Sequence, residues 1–539
     1  MTLRRAYTIL AILLCGGVVF FTTSPAFALP ENQIRRLVKE ARDLEKNGQW
    51  DEARVIYEHL LGQPDHGLRI RERYHEALRR CWQTYRHQDT SYRKEVLTVE
   101  FSQALRIYSV VSNTLLHSSL DKKKIDSARL FRKGLDELDA ALADPQFIRE
   151  HIPSNRHGEV AAFRAMMRKT WGSANQLTHD EAADQIARVA LAAEVALDLS
   201  ATVVVMEFAC GACYAIDEYT VYLTPNQLRE LAQSLSRTEV IGVGITLTIH
   251  DNRIVVHEVA MEGPASGILE RGDHIVSINK KAVADYPYKD VVEMLKGPSG
   301  SMVEIQFMSA QDMMLRTIGI PRRAAAASVN AFPWPGTRLG YLQINSFTET
   351  TAQDVDAAIN ALNKEGMKGL ILDLRANGGG VFDSSIETAR KFLATGIIAS
   401  TQHQDPKLSH IYQAKNPNAL TLPLAVLVDG DTASAAEVLA GALKDNDRAT
   451  LIGQTTYGKG CTQCLLKLPG ATGNVPTGGL KVTVARVFSP KGLPYSARGV
   501  VPHIFIDENM AESESSLTGR DAYINRAIEE LHRVLLSPK

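Results

Sequence analysis

Residues 422–446 are LPLAVLVDGDTASAAEVLAGALKDN, and they decide the fold of the region around them. The apolar run 424–428 is typical of a buried strand, and residues 435–445 have the apolar spacing of a helix. Ser434 stands at the turn between them, where a nucleophile can be presented near a helix N-terminus. Alternatively, Ser434 and Glu437 fit a capping box, in which the hydroxyl only accepts a backbone N–H.

Strands and helices alternate on both sides of this stretch, which predicts an α/β core over residues 337–508. The predicted strands and helices are LGYLQINSF (339–347), TAQDVDAAINALNKEG (351–366), GLILDLRANGGG (369–380), DSSIETARKFLA (383–394) and ATLIG (449–453).

The glycine run that ends DLRANGGG, residues 373–380, follows a predicted buried strand. Glycine lets backbone N–H groups come close to a ligand, so the N–H of Gly379 or Gly380 together with that of Ala435 would form a two-donor oxyanion hole. A plain turn and a phosphate loop are the alternatives. The stretch lacks both G-x-G-x-x-G and G-x-x-x-x-G-K-[ST], which argues against the phosphate loop.

A lysine stands between two glycines in TTYGKGCTQC, residues 455–464. The glycines beside Lys459 favour close packing around its stem over a mobile surface side chain. Burial disfavours the ammonium form, and a neutral lysine can deprotonate a serine. Gln463 is four residues further on, which predicts that the two side chains share one face in either a helix or a strand. Its amide can orient the amine without adding charge.

Short strands and glycine turns dominate residues 238–322, including GVGITLTIHDNRIVVHEV (242–259) and YKDVVEMLKGPSGSMVEIQFM (288–308). The segment resembles a PDZ domain. The resemblance implies that a loop formed by Gly242, Val243, Gly244 and Ile245 binds a peptide C-terminus, while a strand edge pairs with the peptide. A small β-domain whose glycines only make turns is the alternative. Residues 323–336, rich in alanine and proline, are predicted to be a linker.

The chain from 29 to 200 is predicted to be helical, and ARDLEKNGQWDEARVIYEHLL (41–61) resembles one tetratricopeptide hairpin. Such hairpins need neighbours to bury their apolar faces. The region is interpreted either as a docking surface for a partner or as a bundle that supports or dimerises the rest. Residues 201–237 are predicted as a mixed helix and strand lead-in to the core, and 509–539 as a C-terminal tail with a helix.

The N-terminus predicts export. Two arginines, an apolar run from Tyr7 to Phe21 and a small-x-small site at residues 26–28 form a signal peptide pattern over residues 1–28. An uncleaved anchor is the alternative, but the run is shorter than the ~20 residues of a spanning helix. We therefore expect a periplasmic or extracellular protein. The net charge of −1 gives no basic stripe for nucleic acid.

Four of the six cysteines form two C-x-x-C pairs, Cys210 with Cys213 and Cys461 with Cys464. Export permits disulfides, which are the favoured interpretation, with free buried thiols second. A zinc site is a third alternative, although its pairs are usually only tens of residues apart. A disulfide at Cys461 and Cys464 would constrain the segment with Lys459 and make activity depend on redox state.

These motifs together, in this order from about Asp217 to Ile506, resemble the carboxyl-terminal processing proteases, or tail-specific proteases, of the serine-lysine type. The further matching stretches are IDEYTVYLTP (216–225), GGLKVTVARVFSPKG (478–492) and RGVVPHIFI (498–506). The resemblance implies Ser434 as nucleophile, Lys459 as general base, Gln463 as the residue that orients the lysine, and Ala435 with Gly379 or Gly380 as oxyanion donors. It implies no cofactor and no metal.

The predicted architecture is therefore multidomain α+β, with a helical N-terminal region, a PDZ domain and an α/β protease core. The predicted function is that of an exported serine endopeptidase acting on proteins or peptides with accessible C-termini, through an acyl-enzyme. A catalytically silent scaffold with PDZ and helical docking surfaces is the alternative from another class. A serine-lysine amidase for small molecules is a third, but it would not need a PDZ domain.

Overall fold

The structure is a computed structural model of the 539-residue chain. It describes residues 31–61, 68–118, 120, 125–235, 241–250, 253–259, 263–286, 288–298, 300–310, 312–324, 328–468, 477–496, 498–507 and 521–536. The predicted signal peptide lies outside the described residues.

Helices make up the N-terminal region, as the sequence predicts. They are α1 (Glu31–Lys46), α2 (Trp50–Leu61), α3 (Leu68–Gln88), α4 (Phe101–Ser118), α5 (Ser127–Ala141), α6 (Pro145–His151), α7 (Val160–Trp171), α8 (His179–Leu197) and α9 (Ala201–Cys213). A π-helical turn, Tyr92–Val96, and a 3-10 segment, Ser154–Glu159, connect some of them. Helices α1 and α2 form a hairpin around Gly48, which takes the left-handed φ of +74° that a glycine tolerates.

Helix α9 lies at the centre of the helical region, and all thirteen of its residues are buried. A helix that is buried on every side belongs in a core. Its side chains share one hydrophobic cluster with α4, α5 and α8, and also with Leu480 and Val482 of the protease region. The hydrophobic core therefore continues past the predicted boundary at residue 200, because α9 packs both on the other helices and on the sheet that contains Leu480 and Val482.

Strand β1 (Val221–Leu223) and helix α10 (Pro225–Leu235) complete the lead-in. The PDZ region then has strands β2 (Ile241–Gly242), β3 (Ile245–His250), β4 (Arg253–Val259), β5 (His274–Ile278), β6 (Lys281–Ala282), β7 (Met302–Met308), β8 (Leu315–Pro321) and β9 (Arg323–Ala324), with a 3-10 turn Val283–Asp285 and helix α11 (Tyr288–Leu295). Its main sheet has the order β3-β4-β5-β7-β8 with β6 beside β5, and β2 pairs with β9.

The protease core contains two sheets. Its elements are β10 (Val329–Pro333), β11 (Leu339–Ile344), α12 (Thr351–Lys364), β12 (Gly369–Asp373), α13 (Phe382–Phe392), β13 (Thr395–His403), β14 (His410–Lys415), β15 (Leu424–Val428), α14 (Ala435–Asp445), β16 (Thr450–Gly453), β17 (Cys461–Lys467), β18 (Gly479–Phe488) and β19 (Ile504–Phe505), with a 3-10 turn Pro406–Leu408. Helix α15 (Ala522–Leu536) follows.

The first sheet has the order β10-β11-β12-β15-β16-β19, and its strands are parallel except for β10. Strands β12 and β15 are buried along their whole length, as the apolar runs predict. The turns that carry the glycine run 378–380 and Ser434 follow the carboxyl ends of these two strands, where ligands bind in open α/β sheets. The second sheet is antiparallel and places β17 and β1 on either side of β18.

One boundary prediction is wrong. Residues 323–336 are not simply a linker, because Val329–Pro333 form β10, the antiparallel edge strand of the core sheet. Pro333 made this stretch look like a connection, but a proline is tolerated on an edge strand, where its missing N–H costs no ladder bond. Among the helices of the described residues, none is long and apolar enough to cross a membrane.

Candidate active site

Ser434 occupies the turn between β15 and α14. Its φ of +58° and ψ of −116° are unusual for a residue with a side chain, and its side chain is almost fully enclosed. Such backbone strain persists only where the surroundings hold it, and it is concentrated at functional sites. The sharp turn before the helix is the geometry expected for a nucleophile at this position.

The carboxylate of Glu437 holds this turn. Its Oε2 accepts the backbone N–H of Ser434 at 2.8 Å, which is the reciprocal half of the capping box. The same carboxylate also accepts the N–H of Gly458 at 2.7 Å, the N–H of Lys459 at 2.8 Å and the hydroxyl of Thr456 at 2.6 Å. Glu437 therefore joins the backbone of the predicted nucleophile to the backbone of the predicted base.

Glu437 is fully buried, and burial raises the pKa of its carboxyl, while the four donors oppose that rise. A buried carboxylate with several backbone donors is a strong acceptor. The sequence suggested Glu437 only as a local cap. Its other three donors come from residues 19 to 22 positions later in the chain, which no local motif reveals.

Lys459 is only 2% exposed, so the prediction that its stem is packed agrees with the structure. Its Nζ lies 5.2 Å from the centroid of the Tyr219 ring. An aromatic face attracts an ammonium through its quadrupole, and the attraction is larger where water is excluded. Tyr219 was not among the predicted site residues, although it lies within the IDEYTVYLTP stretch.

Gln463 lies on β17 and is fully buried. Its Nε2 donates to the backbone carbonyl of Tyr219 at 2.6 Å, and within the described residues its Oε1 has no hydrogen-bond partner. The spacing argument for a shared face does not apply here, because the register of β17 shifts between Thr462 and Gln463. Tyr219 nevertheless contacts both Lys459 and Gln463.

Two of the predicted oxyanion donors, Gly379 and Ala435, lie beside Ser434. A Cβ on Gly379 would come within 2.8 Å of the Ser434 Cβ and 3.0 Å of the Ala435 nitrogen, so only glycine fits. The N–H of Gly379, however, donates to Asn377 Oδ1 at 2.8 Å. Gly380 is therefore the better glycine candidate, together with Ala435, whose N–H in the first helical turn has no acceptor within the helix.

Asn377 organises this loop, and the sequence did not single it out. Its side-chain amide donates to the carbonyl of Ile344 at 2.7 Å, and its backbone carbonyl accepts the N–H of Ala433 at 2.9 Å. The glycine loop is thereby fixed to the end of β11 and to the residue before Ser434.

The PDZ region has an edge suited to a peptide. In the described part of its main sheet, β3 is an edge strand and α11 belongs to the same hydrophobic cluster. The predicted loop is shorter than expected, because Gly242 ends β2 and Ile245 begins β3, leaving Val243 and Gly244 in the turn. Gly244 has a φ of +73°, and a Cβ there would lie 2.8 Å from the Cα of Gly263.

Tyr288, the first residue of α11, closes part of this edge. Its hydroxyl donates to the backbone carbonyl of Leu247 on β3 at 2.5 Å. Because that carbonyl points toward α11 and not toward β4, it is one of the acceptors that an added peptide strand would use. No motif in the sequence indicates this contact.

The disulfide interpretation is wrong for the structure. All five described cysteines are buried free thiols. Cys464 packs in the same apolar cluster as Cys210 and Cys213, whereas Cys461 lies outside that cluster, so the two cysteines of the second pair lie in different surroundings. In the described residues, no group of three or more His, Cys, Asp or Glu side chains is arranged to bind a metal ion.

Two family descriptions match the chain. Peptidase family S41 matches residues 338–506, and the PDZ domain matches residues 232–308. The carboxy-terminal-processing protease of Bartonella bacilliformis is 30% identical over 316 residues, which cover 56% of this chain and 69% of the relative. The chain belongs to the carboxyl-terminal-processing protease family.

Two further relatives and one solved structure are also similar to the chain. The carboxyl-terminal-processing protease of Picosynechococcus is 32% identical over 293 residues, covering 53% of this chain and 69% of the relative. Carboxyl-terminal-processing peptidase 2 of Arabidopsis thaliana chloroplasts is 34% identical over 319 residues, covering 56% of this chain and 60% of the relative. A solved photosystem II D1 C-terminal processing protease is similar at 24% identity with a TM-score of 0.42, covering 75% of this chain and 93% of that one.

Membership of the carboxyl-terminal-processing protease family makes the chain a serine-type peptidase with a PDZ domain. Neither family description includes α1 to α9, which lie before residue 232. The family matches therefore give no role for the helical region, whose contacts with the core are its only described connection to the site.

Proposed function

We propose that the chain is an exported serine endopeptidase that binds the C-terminus of an unfolded protein through its PDZ domain. It then cleaves the polypeptide at Ser434 with Lys459 as general base. The single observation that carries the proposal is the Glu437 carboxylate, which accepts the backbone N–H groups of both Ser434 and Lys459 at 2.8 Å. Two segments 25 residues apart in the sequence thereby share one anchor.

The proposed acylation step uses Ser434 as nucleophile and Lys459 as base. The Ser434 Oγ bonds to the scissile carbonyl carbon, its proton passes to Lys459 Nζ, and the carbonyl π electrons move to the oxygen. The N–H groups of Ala435 and Gly380 stabilise the resulting oxyanion. When the tetrahedral intermediate collapses, the C–N bond breaks and Lys459 returns the proton to the leaving amine. Water repeats the sequence, releasing a carboxylate product and Ser434.

Gln463 completes the site in this proposal. Its Nε2 is fixed on the Tyr219 carbonyl, so the amide plane is held and Oε1 is turned toward the inside of the protein. We assign Oε1 as the acceptor for a Lys459 N–H, because a neutral amide orients the amine without the charge that would favour its protonation.

The edge strand β3 supports the substrate part of the proposal. A peptide that adds to β3 gains backbone hydrogen bonds that do not depend on its sequence, and its terminal carboxylate meets the N–H groups at Val243 and Gly244. Such binding suits an enzyme that selects free, unfolded C-termini. The signal peptide pattern at residues 1–28 supports export, and a docking partner or a second copy of the chain at the helical region stays a prediction.

The test compares wild type, Ser434→Ala and Lys459→Ala on an unfolded protein with a free apolar C-terminus, and on the same protein with that terminus amidated. The exposed residues Ser154 and Lys169 supply the matched controls Ser154→Ala and Lys169→Ala. We expect cleavage by wild type and both controls, none by the site variants, and slower cleavage of the amidated protein. A fluorophosphonate should label Ser434, as mapped by mass spectrometry.

The pH dependence gives a second readout. The rate constant kcat/KM should rise with pH as one base loses its proton, and Gln463→Glu should move this rise to higher pH because a carboxylate favours the ammonium. If wild type is inert yet still binds the free C-terminal peptide, the proposal fails and the scaffold alternative replaces it.

A further inference from the structure

Tyr219 is in contact with two of the three predicted catalytic side chains, from a segment that precedes the PDZ domain. Its ring faces Lys459 Nζ at 5.2 Å, and its backbone carbonyl accepts from Gln463 Nε2 at 2.6 Å. These two contacts use different parts of one residue. A shift of Tyr219 would therefore disturb the lysine and the glutamine together.

Hydrogen bonds around Tyr219 fix its position beside Lys459 and Gln463. The Asp217 carboxylate accepts the N–H groups of Tyr219 at 3.0 Å and Thr220 at 2.8 Å, which forms a tight turn. The hydroxyl of Thr220 accepts the N–H of Thr483 on β18 at 3.2 Å, and β1 follows at once and pairs with β18. The turn is thereby fixed to the neighbour of the strand that carries Gln463.

We propose that Tyr219 is a positioning residue for the base, holding Lys459 with its ring face and Gln463 with its carbonyl. This inference rests on the proposed function and adds a fourth residue to its mechanism. During attack, Lys459 becomes an ammonium as it takes the Ser434 proton. The negative face of the ring stabilises this ammonium in the transition state of attack, and it also favours the protonated form of Lys459, which cannot act as a base.

The surroundings allow this effect to be measured. The Tyr219 ring faces Lys459, and Glu437 accepts the backbone N–H of Lys459. The titratable groups that interact electrostatically with Tyr219 are Tyr457, Cys461, Asp217 and Glu218. Burial raises the pKa of the Tyr219 and Tyr457 phenols, and raises that of the Cys461 thiol to about 12, so all three are neutral at about pH 7. Burial also raises the pKa of the Asp217 and Glu437 carboxyls.

The contact between the Tyr219 ring and Lys459 Nζ determines the direction in which the pH profile should shift when the ring is removed. A ring that favours the ammonium raises the pH at which the base becomes active, so its removal shifts the acidic limb of the pH profile to lower pH. The same removal lowers kcat on the alkaline plateau, because the ammonium formed during attack is less stabilised. KM for a peptide should not change, since the ring faces the base.

The experiment uses the full-length chain with Tyr219→Phe, which keeps the ring, and Tyr219→Leu, which removes it. We expect Tyr219→Phe to behave as wild type. Tyr219→Leu should lose about three- to tenfold in plateau kcat, with its acidic limb about half to one pH unit lower. The rate of Ser434 labelling by a fluorophosphonate should change in parallel, without substrate delivery through the PDZ domain.

A third variant keeps the inference testable if Tyr219→Leu does not fold. Trifluorophenylalanine at position 219 keeps the shape of phenylalanine but weakens the negative ring face, and it should reproduce the limb shift at reduced size. If plateau kcat falls while the limb stays in place, Tyr219 has only a structural role and the inference is wrong. If wild type itself neither cleaves nor labels, the proposed function has failed instead.

Discussion

Glu437 Oε2 accepts the backbone N–H of Lys459 at 2.8 Å, although the two residues belong to different segments on either side of β16. The same carboxylate accepts from Ser434, so the relative position of nucleophile and base depends on one buried side chain. This arrangement separates two tasks. In the proposed mechanism, Ser434 and Lys459 supply the chemistry, while Glu437 fixes the spacing of their backbones.

Glu437→Ala should abolish most activity and destabilise the fold. It leaves three buried N–H donors without an acceptor, and each such donor costs about 1–3 kcal/mol of unfolding free energy. We expect a fall in kcat of about 100-fold or more and a lower Tm, measured by peptide hydrolysis and circular dichroism. Glu437→Gln keeps one acceptor oxygen but turns an NH₂ toward donors, so its effect should be intermediate. Glu365→Ala, at an exposed site, is the control.

The cysteines should be inert in the folded protein. Burial raises the pKa of the Cys213 and Cys461 thiols to about 12, so near pH 7 almost none of either is thiolate. Because the thiolate is the reactive form, alkylation by iodoacetamide should be slow in the native state and rapid after denaturation. Activity should be equal with and without dithiothreitol. A rate that responds to reductant would show that a disulfide forms and would restore the redox hypothesis.

In the native protein, the Tyr288 hydroxyl should weaken peptide binding to the PDZ domain, because it competes for a backbone acceptor on β3. A peptide N–H that pairs with the Leu247 carbonyl has to displace the Tyr288 hydroxyl, which holds that acceptor at 2.5 Å. Tyr288→Phe removes the competitor and keeps the ring, so the Kd for a C-terminal peptide should fall about two- to tenfold, the range of one net hydrogen bond. Fluorescence anisotropy with a free and an amidated peptide measures it. A weaker affinity would instead mean that the hydroxyl contacts the peptide.

Sequence patterns predicted the structure correctly where a helix, strand or turn is determined by its own residues. The apolar runs at β12 and β15 and the turn at Ser434 were predictable, because buried parallel strands and a strand-to-helix turn leave local signals. The antiparallel sheet of β1, β13, β14, β17 and β18 was not predicted, because β1 and β13 pair with β18 across long stretches of chain. The roles of Tyr219 and Glu437 were missed for the same reason. Tyr219 and Gln463 are 244 residues apart in the sequence.

The cysteine spacing shows a different limit. Two C-x-x-C pairs in a chain with a signal peptide pattern favour disulfides, but bonding depends on where the side chains point. Cys210 and Cys213 lie on a helix whose every residue is buried, and there they serve as small apolar side chains. Spacing alone does not contain that information.

The helical region should influence catalysis through helix α3, although it lies outside both family matches. The Arg79 guanidinium of α3 lies 5.2 Å from the ring centroid of Tyr214. Just beyond the end of α3, the Asp89 carboxylate accepts from the Thr224 hydroxyl at 2.5 Å and from Asn226 Nδ2 at 3.0 Å. Tyr219 lies between these two anchored points. Weakening one anchor should loosen Tyr219 and, through it, Lys459.

Asp89→Asn tests this link, because it replaces one acceptor oxygen by a donor and removes the charge that strengthens both bonds. We expect a loss of about 1–3 kcal/mol in unfolding free energy and a several-fold lower kcat, with unchanged peptide affinity at the PDZ domain. Hydrogen exchange should increase at residues 217–226. Asp136→Asn, at an exposed surface pair with Lys133, is the matched control and should change neither. If exchange rises while kcat stays constant, the helices support the fold without acting on the base.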